Sequence, residues 1–408
     1  MKNTISILLK LSVFNFFIVA VLGVIMRYKI AYSFPFLDQK NLQESHSHFA
    51  FYGWITSIIY LLILKILHEE IPDFKAKKYI ATIIINLIGS YGMLAAFLYS
   101  GYYWLSIVFS SISLLSSFVY FFMFLSDYKN LKTLSRKWFV GGFVFALFSS
   151  LGVFMLSYMM VSGHIFQHTY LASTYFYLHF QYNGFFIFSC IGLLINNLEK
   201  IGAVLSEKEN KSIFLLMFIS CFAAYGLSVL WAKLPIWVYV IIVLASLMQT
   251  FGSLKLFNLV RRNWNLLKEN WNSFQRFILI YAGLAFFVKI LLQLGSTIPA
   301  VNQFAFGFRN IVIAYLHLVL LMCITSFLFL QIFSNENREN NSGVKLFLLG
   351  TFLNELVLGI MGILSIKYII FPYSQHILFG ISVLLMISAW MIFARMKQHK
   401  SRFIETGF

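Results

Sequence analysis

The chain has 408 residues, of which 60% are hydrophobic and only 11% charged. A soluble domain carries about 25% charged residues, and no soluble core hides this much apolar surface, so water-soluble globular classes are excluded. The net charge of +17 would suit a nucleic-acid partner, but its distribution along the chain argues against one.

Apolar runs predict helices over 5–26, 46–67, 79–100, 102–125, 138–161, 173–196, 211–232, 234–256, 273–294, 308–332, 344–365 and 371–394. Each is long enough for a hydrocarbon layer of about 30 Å. Backbone groups in lipid must be satisfied within their own segment, so the runs are read as helices. The alternation of an outer-membrane barrel is absent. The first run follows Lys2 and Lys10 but shows no small-residue cleavage pattern, so a retained span is predicted. Only Ser100 and Gly101 divide the third run from the fourth. The longest loops are predicted over 27–45, 197–210 and 257–272, and 335–342 (NENRENNS) reads as a polar cytoplasmic turn. The expected fold is an all-α membrane protein of about twelve helices, one polytopic domain over 1–408.

With the N-terminus, every second loop and the C-terminus on one side, that side holds 24 of the 31 Lys and Arg residues. The other side holds 6, and Lys289 lies inside the ninth span. Positive residues mark the cytoplasmic side, so both termini are predicted there, in a bacterial inner membrane. The partner this implies is the lipid bilayer, not nucleic acid. Lys289 is expected to snorkel toward the headgroups from near the outer end of its span. Cys190, Cys221 and Cys323 all fall inside spans, with no CxxC pair and no CxxCH haem attachment.

A weak repeat runs through the chain. His48-Phe49-Ala50-Phe51-Tyr52-Gly53-Trp54 and His179-Phe180-Gln181-Tyr182-Asn183-Gly184-Phe185 both read H-F-x-aromatic-x-G-aromatic. Tyr177-Leu178-His179 matches Tyr315-Leu316-His317. The three histidines are 131 and 138 residues apart, and one third of the chain is 136. They fall on the second, sixth and tenth helices, which predicts three pseudo-threefold four-helix units over 1–137, 138–272 and 273–408.

The topology places His46, His48, His164, His168, His179, His317 and His376 on the outer side or in the outer half of a span, and His68 and His399 on the cytoplasmic side. An imidazole inside a span is costly and faces the bundle interior with a partner, and a neutral imidazole is the commonest metal ligand. Histidines on facing helices supply the two axial ligands of a haem iron. A Gly five residues after His48 and after His179 would admit a flat macrocycle or a neighbouring helix. The plain alternative is that each imidazole hydrogen-bonds a nearby carbonyl or hydroxyl and binds nothing. His46 points roughly 200° away from His48 on a helix. His48 is preferred because it belongs to the repeat. His164 and His168 read as surface residues, and His376 lies near the outer end of the twelfth helix.

Twelve helices with outer-half histidines on helices 2, 6 and 10 resemble the haem-copper oxidase subunit I superfamily. The segment His46-Ser47-His48 followed by Gly53 is similar to the H-x-H-x(4)-G segment of the NnrS family, twelve-span proteins that bind haem and copper and are linked to nitric oxide metabolism. The resemblance covers the topology of the whole chain and, at residue level, these short segments. It implies that His48 and His317 clamp a haem b and that His179 is the ligand on the helix-6 side, with copper as a further candidate. His46 and His376 complete the candidate metal ligands. The seventh helix lacks a histidine and the tenth has one where two haems would need two. One haem, or one haem with a different metal site, therefore fits better than a complete binuclear centre.

Arg309 and Asn310 precede His317 by roughly 10–12 Å of helix, and Arg309 would pair with a haem propionate. Its other reading is an interfacial arginine. Glu44, just before His46, is a candidate carboxylate that orients an imidazole, or a solvated loop residue. Glu355, beside Asn354 in the eleventh helix, is an intramembrane carboxylate suited to a proton relay or to an interhelical hydrogen bond. The leading expectation is haem-dependent redox or diatomic-gas chemistry (nitric oxide or oxygen) at the periplasmic side, with an electron donor as partner. The alternatives are a proton-coupled transporter using Glu355 and the histidines, and a haem-containing sensor or assembly factor without turnover.

Overall fold

The computed structural model describes residues 2–232, 234–333 and 341–398. Most of the polar stretch 335–342, and His399, lie outside the described residues. Among the described residues every element is helical and there is no strand. Twelve helices are long and apolar enough to cross a membrane: Asn3–Ala31, Gln39–Glu70, Lys77–Ser100, Trp104–Asn130, Arg136–Ser162, Gln167–Lys200, Glu207–Val229, Ile236–Arg262, Ser273–Gly295, Arg309–Phe333, Ser342–Ile366 and Ser374–Met396. They are spans 1 to 12 below.

The twelve segments match the apolar runs; many ends reach further, while spans 4, 8, 10 and 12 start slightly later and span 7 ends earlier, at Val229. Span 1 continues to Ala31 and span 2 begins at Gln39, so the predicted 27–45 loop shrinks to 32–38. Likewise only 201–206 separates span 6 from span 7, and a short helix, Trp264–Asn270, occupies most of the connection between spans 8 and 9. Polar caps explain the difference, because they extend a helix beyond its apolar core. Asp38 accepts from the backbone N–H of Lys40 and Asn41 at 2.8 and 2.9 Å. Ser206 accepts from Glu209 at 3.1 Å. Asn272 and Gln275 form a reciprocal capping box. Spans 3 and 4 divide where the sequence suggests. Gly101 has φ +63, a left-handed conformation that favours glycine, and a Cβ there would run into the Asn41 side chain.

The chain forms two compact units. Unit 1 comprises Met1–Lys132, Asn340–Val357 and Phe371–Phe408, and unit 2 comprises Thr133–Glu339 and Leu358–Ile370. In unit 1, span 1 packs on span 12, span 3 on span 4, and span 2 lies against spans 1 and 3. In unit 2, span 5 packs on span 6, span 7 on span 8, span 8 on span 9 and span 9 on span 10. Spans 2 and 6 are the central helices of their units: 89% of their most apolar stretch is buried, against 33–56% for the other ten.

Three spans change their winding partway across. Span 2 is α-helical to His48 and π-helical over Phe49–Thr56. Span 6 is α-helical to His179 and π-helical over Phe180–Phe186. Span 10 is α-helical to His317 and π-helical over Leu318–Thr325. These are the only π-helices among the described residues. A π-helix is rare and poorly stabilised by itself, so its carbonyls need outside donors where there is no water. In unit 1, Asn15 of span 1 donates to the Gly53 carbonyl at 2.8 Å and Asn86 of span 3 to the Tyr52 carbonyl at 2.9 Å. The Ser57 hydroxyl also donates to the Tyr52 carbonyl, at 2.9 Å. In unit 2, Ser326 donates to the Leu321 carbonyl at 3.1 Å. Ser57 and Ser326 each follow their histidine by nine residues and each reach back five.

Candidate functional site

The α-to-π junctions set the positions of His48, His179 and His317. His48 Nδ1 donates to the Glu44 carbonyl at 2.9 Å, and the Glu44 carboxylate lies 3.7 Å from the same nitrogen. Glu44 is thus a partner of His48. The ring stacks on Phe97 at 4.3 Å, and its Nε2 faces the Tyr102 hydroxyl at 3.4 Å. One nitrogen is held by a carbonyl at 2.9 Å and the other lies 3.4 Å from a tyrosine hydroxyl. A ligating histidine has that arrangement, its second nitrogen donating to a carbonyl.

His46, two residues earlier, lies on the span-1 side. Its ring hydrogen-bonds the Val19 backbone, and its Nδ1 is buried without a hydrogen-bond partner. Arg27 lies within electrostatic range of both His46 and Glu355. The Glu355 carboxylate accepts from Asn354 at 3.0 Å. Unit 1 therefore gathers an imidazole, a guanidinium and a carboxylate among spans 1, 2 and 11.

His179 is fully buried and engaged at both nitrogens. Nε2 donates to the Cys221 carbonyl of span 7 at 2.8 Å, and Nδ1 accepts from the Asn183 amide at 3.1 Å. A carbonyl only accepts, so the ring proton sits on Nε2. These are the partners of a structural histidine, and a metal at His179 would have to displace one of them.

His317 closes the α-helical part of span 10 and is half-buried. Arg309, at the start of the same helix, is exposed. His376 is exposed and packs edge-on against Tyr32 at 5.3 Å, in an aromatic group with Tyr373 at 6.2 Å. His164 and His168 are exposed. His164 Nδ1 donates to the Ser162 carbonyl at 2.9 Å, and His168 stacks on Trp231 at 5.4 Å.

The glycines that follow His48 and His179 do not open space for a macrocycle. A Cβ on Gly53 would meet the ring of Phe49, and one on Gly184 would collide with Phe145 of span 5. Of the two expected occupants of that space, neighbouring side chains fill it.

Lys289 departs from the sequence expectation. Its side chain is 1% exposed, so it does not reach the headgroups. Its amine lies over the Phe286 ring at 5.6 Å and within electrostatic range of Cys221, Cys323 and His179. No carboxylate pairs with it among the described residues. Snorkelling requires an outward rotamer toward water, and this side chain points into unit 2.

Sequence reasoning missed Asn15, Asn86, Tyr102 and Asn183. Asn183 was findable, four residues after His179 and on the same helix face. Asn15 and Asn86 come from other spans and Tyr102 from the connection between spans 3 and 4, and no local pattern marks them.

Among the described residues, no group of three or more His, Cys, Asp or Glu side chains is placed to hold a metal ion. A haem needs fewer protein ligands, and His48, whose Nδ1 is held by a carbonyl, and the unpartnered Nδ1 of His46 fit that demand. The doubly engaged His179 does not. Fold and buried polar groups define a polytopic α-helical integral membrane protein. No model of a known protein family matches the chain, and a search among characterised proteins finds no match either.

Proposed function

We propose that this is a b-type haem-binding membrane protein of the kind the haem-copper oxidase subunit I and NnrS families represent, acting in redox or diatomic-gas chemistry. One observation carries the reading. A histidine ends the α-helical part of spans 2, 6 and 10, and a π-helix begins at the next residue in all three. π-helical segments concentrate at functional sites, and their shared position supports descent from a threefold four-helix repeat. The basic side carrying the chain ends is taken as cytoplasmic, which puts the histidines toward the periplasm of a bacterial inner membrane.

In this reading His48 is a haem ligand in unit 1, and His317, with Arg309 to meet a propionate, is a haem-ligand candidate in unit 2. Glu44 and its carbonyl hold the His48 ring in the ligating tautomer. His46 is the candidate for a second metal such as copper. His179 acts as a structural tie between spans 6 and 7. The bound haem supplies a redox-active iron with an affinity for diatomic gases. Whether an electron donor engages it decides between an enzyme and a sensor or assembly factor.

The test is an optical spectrum and metal analysis of the purified protein, expressed with ample haem and copper. A Soret band is expected, lost in His48→Ala and in His317→Ala and kept in His179→Ala. A protein without haem and without copper would refute the proposal.

The second reading is a proton-coupled transporter. It is favoured by Glu355 and Lys289, two ionisable side chains within spans, a placement that marks proton and substrate paths. Uptake into proteoliposomes that Glu355→Gln abolishes would establish it.

A further inference from the structure

Unit 2 contains a lateral crevice of about 400 Å³ between spans 8 and 9, backed by spans 6 and 10. That volume is within the range of ligand sites. Its wall is apolar apart from Ser253, the thiols of Cys190 and Cys323, and one end where Arg261 and Trp264 stand. Phe257 and Leu284 form part of its rim and are 50% and 53% exposed, so the crevice opens sideways from the helix bundle. A Cβ built on Gly283, in the wall, meets nothing within 4 Å. The missing side chain leaves open space there.

The Arg261 guanidinium is exposed and makes no hydrogen bond or ion pair among the described residues. Its neighbour Arg262 is paired, donating through one nitrogen to the Glu209 carboxylate and to the Val204 carbonyl, both at 2.8 Å. Span 8 ends at Arg262, which puts Arg261 at the depth of the lipid headgroups. Trp264 beside it is a residue type that prefers that same interface.

We propose that this crevice binds one anionic phospholipid of the surrounding bilayer, with an acyl chain along Gly283 and Phe286 and the phosphate on Arg261. An apolar channel that opens to the hydrocarbon selects an aliphatic chain. A single unpaired cation at its headgroup end selects an anion. Basic pockets between transmembrane helices on the positively charged side are where anionic headgroups bind. A zwitterionic choline lipid would bring a second cation to Arg261 and gain less.

The purified full-length protein is titrated in detergent with phosphatidylglycerol or phosphatidylcholine of identical acyl chains, and bound lipid is counted by native mass spectrometry. Wild type is expected to hold phosphatidylglycerol more tightly. Arg261→Gln should weaken phosphatidylglycerol about fivefold, as loss of one surface cation implies, and leave phosphatidylcholine unchanged. Gly283→Phe, which fills the crevice, should weaken both. Lys132→Gln, an exposed cation in the connection between spans 4 and 5, should change neither. Equal affinity for the two lipids, no effect of Arg261→Gln, or an equal loss in Lys132→Gln would overturn the proposal. Arg261 is on the surface, so its variant tests the site even if Gly283→Phe fails to fold.

Discussion

The imidazole of His179 donates to the backbone carbonyl of Cys221 at 2.8 Å, joining span 6 to span 7 across 42 positions of sequence. The other ring nitrogen accepts from Asn183. A buried histidine with both nitrogens satisfied acts as a crosslink. His179 differs from His48, whose Nδ1 donates to the Glu44 carbonyl of its own helix at 2.9 Å and so ties no second span through that nitrogen.

His179→Ala leaves the Asn183 amide and the Cys221 carbonyl short of a partner and opens a cavity. The expected loss is about 2–4 kcal/mol, read as a lower melting temperature in detergent. Unchanged melting would mean that the His179 contacts contribute nothing to stability.

Asn86→Ala removes a donor from the Tyr52 carbonyl and from Ser57. A cost of about 1–3 kcal/mol is expected, with faster amide exchange confined to the π-helical stretch after His48. Uniform exchange along span 2 would show that Asn86 does not hold that winding.

Lys289→Met replaces a buried cation that has no carboxylate partner with an apolar chain of similar length. Burying an unpaired charge is costly, and exchanging buried ions for apolar groups is often stabilising by about 1–4 kcal/mol. The melting temperature should rise. A fall would mean that Lys289 is compensated in the folded protein.

Gly184→Leu forces a side chain into the space of Phe145. Overpacking of this kind costs about 1–3 kcal/mol. The double variant with Phe145→Ala should recover part of that loss, giving a favourable coupling in a double-mutant cycle. Additive losses would show that the two positions do not share one space.

The registers of Ser57 and Ser326 show how far local sequence carries. The His48 and His317 segments have little residue identity, yet Thr56-Ser57 and Thr325-Ser326 stand at the same distance from their histidines. That pair was readable, but its meaning was not, because nothing in composition or periodicity announces a π-helix. An extra residue per turn is tolerated only where neighbours satisfy the displaced carbonyls, and in span 2 those neighbours are Asn15 and Asn86 on other helices. The helix ends that reach past the apolar runs were missed for a related reason. Asp38, Ser206 and Asn272 extend helices into polar sequence that an apolar scan passes over.

By itself, the sequence determined the twelve membrane-length helices and the placing of His48, His179 and His317 on spans 2, 6 and 10. Both follow from hydrophobicity summed over about twenty residues, a property of each segment alone. Tertiary structure decided which imidazole nitrogens are taken, that Gly184 meets Phe145, and that Lys289 turns inward to Phe286. These depend on which helix faces which, and a span that is apolar all round does not encode its orientation in its own periodicity.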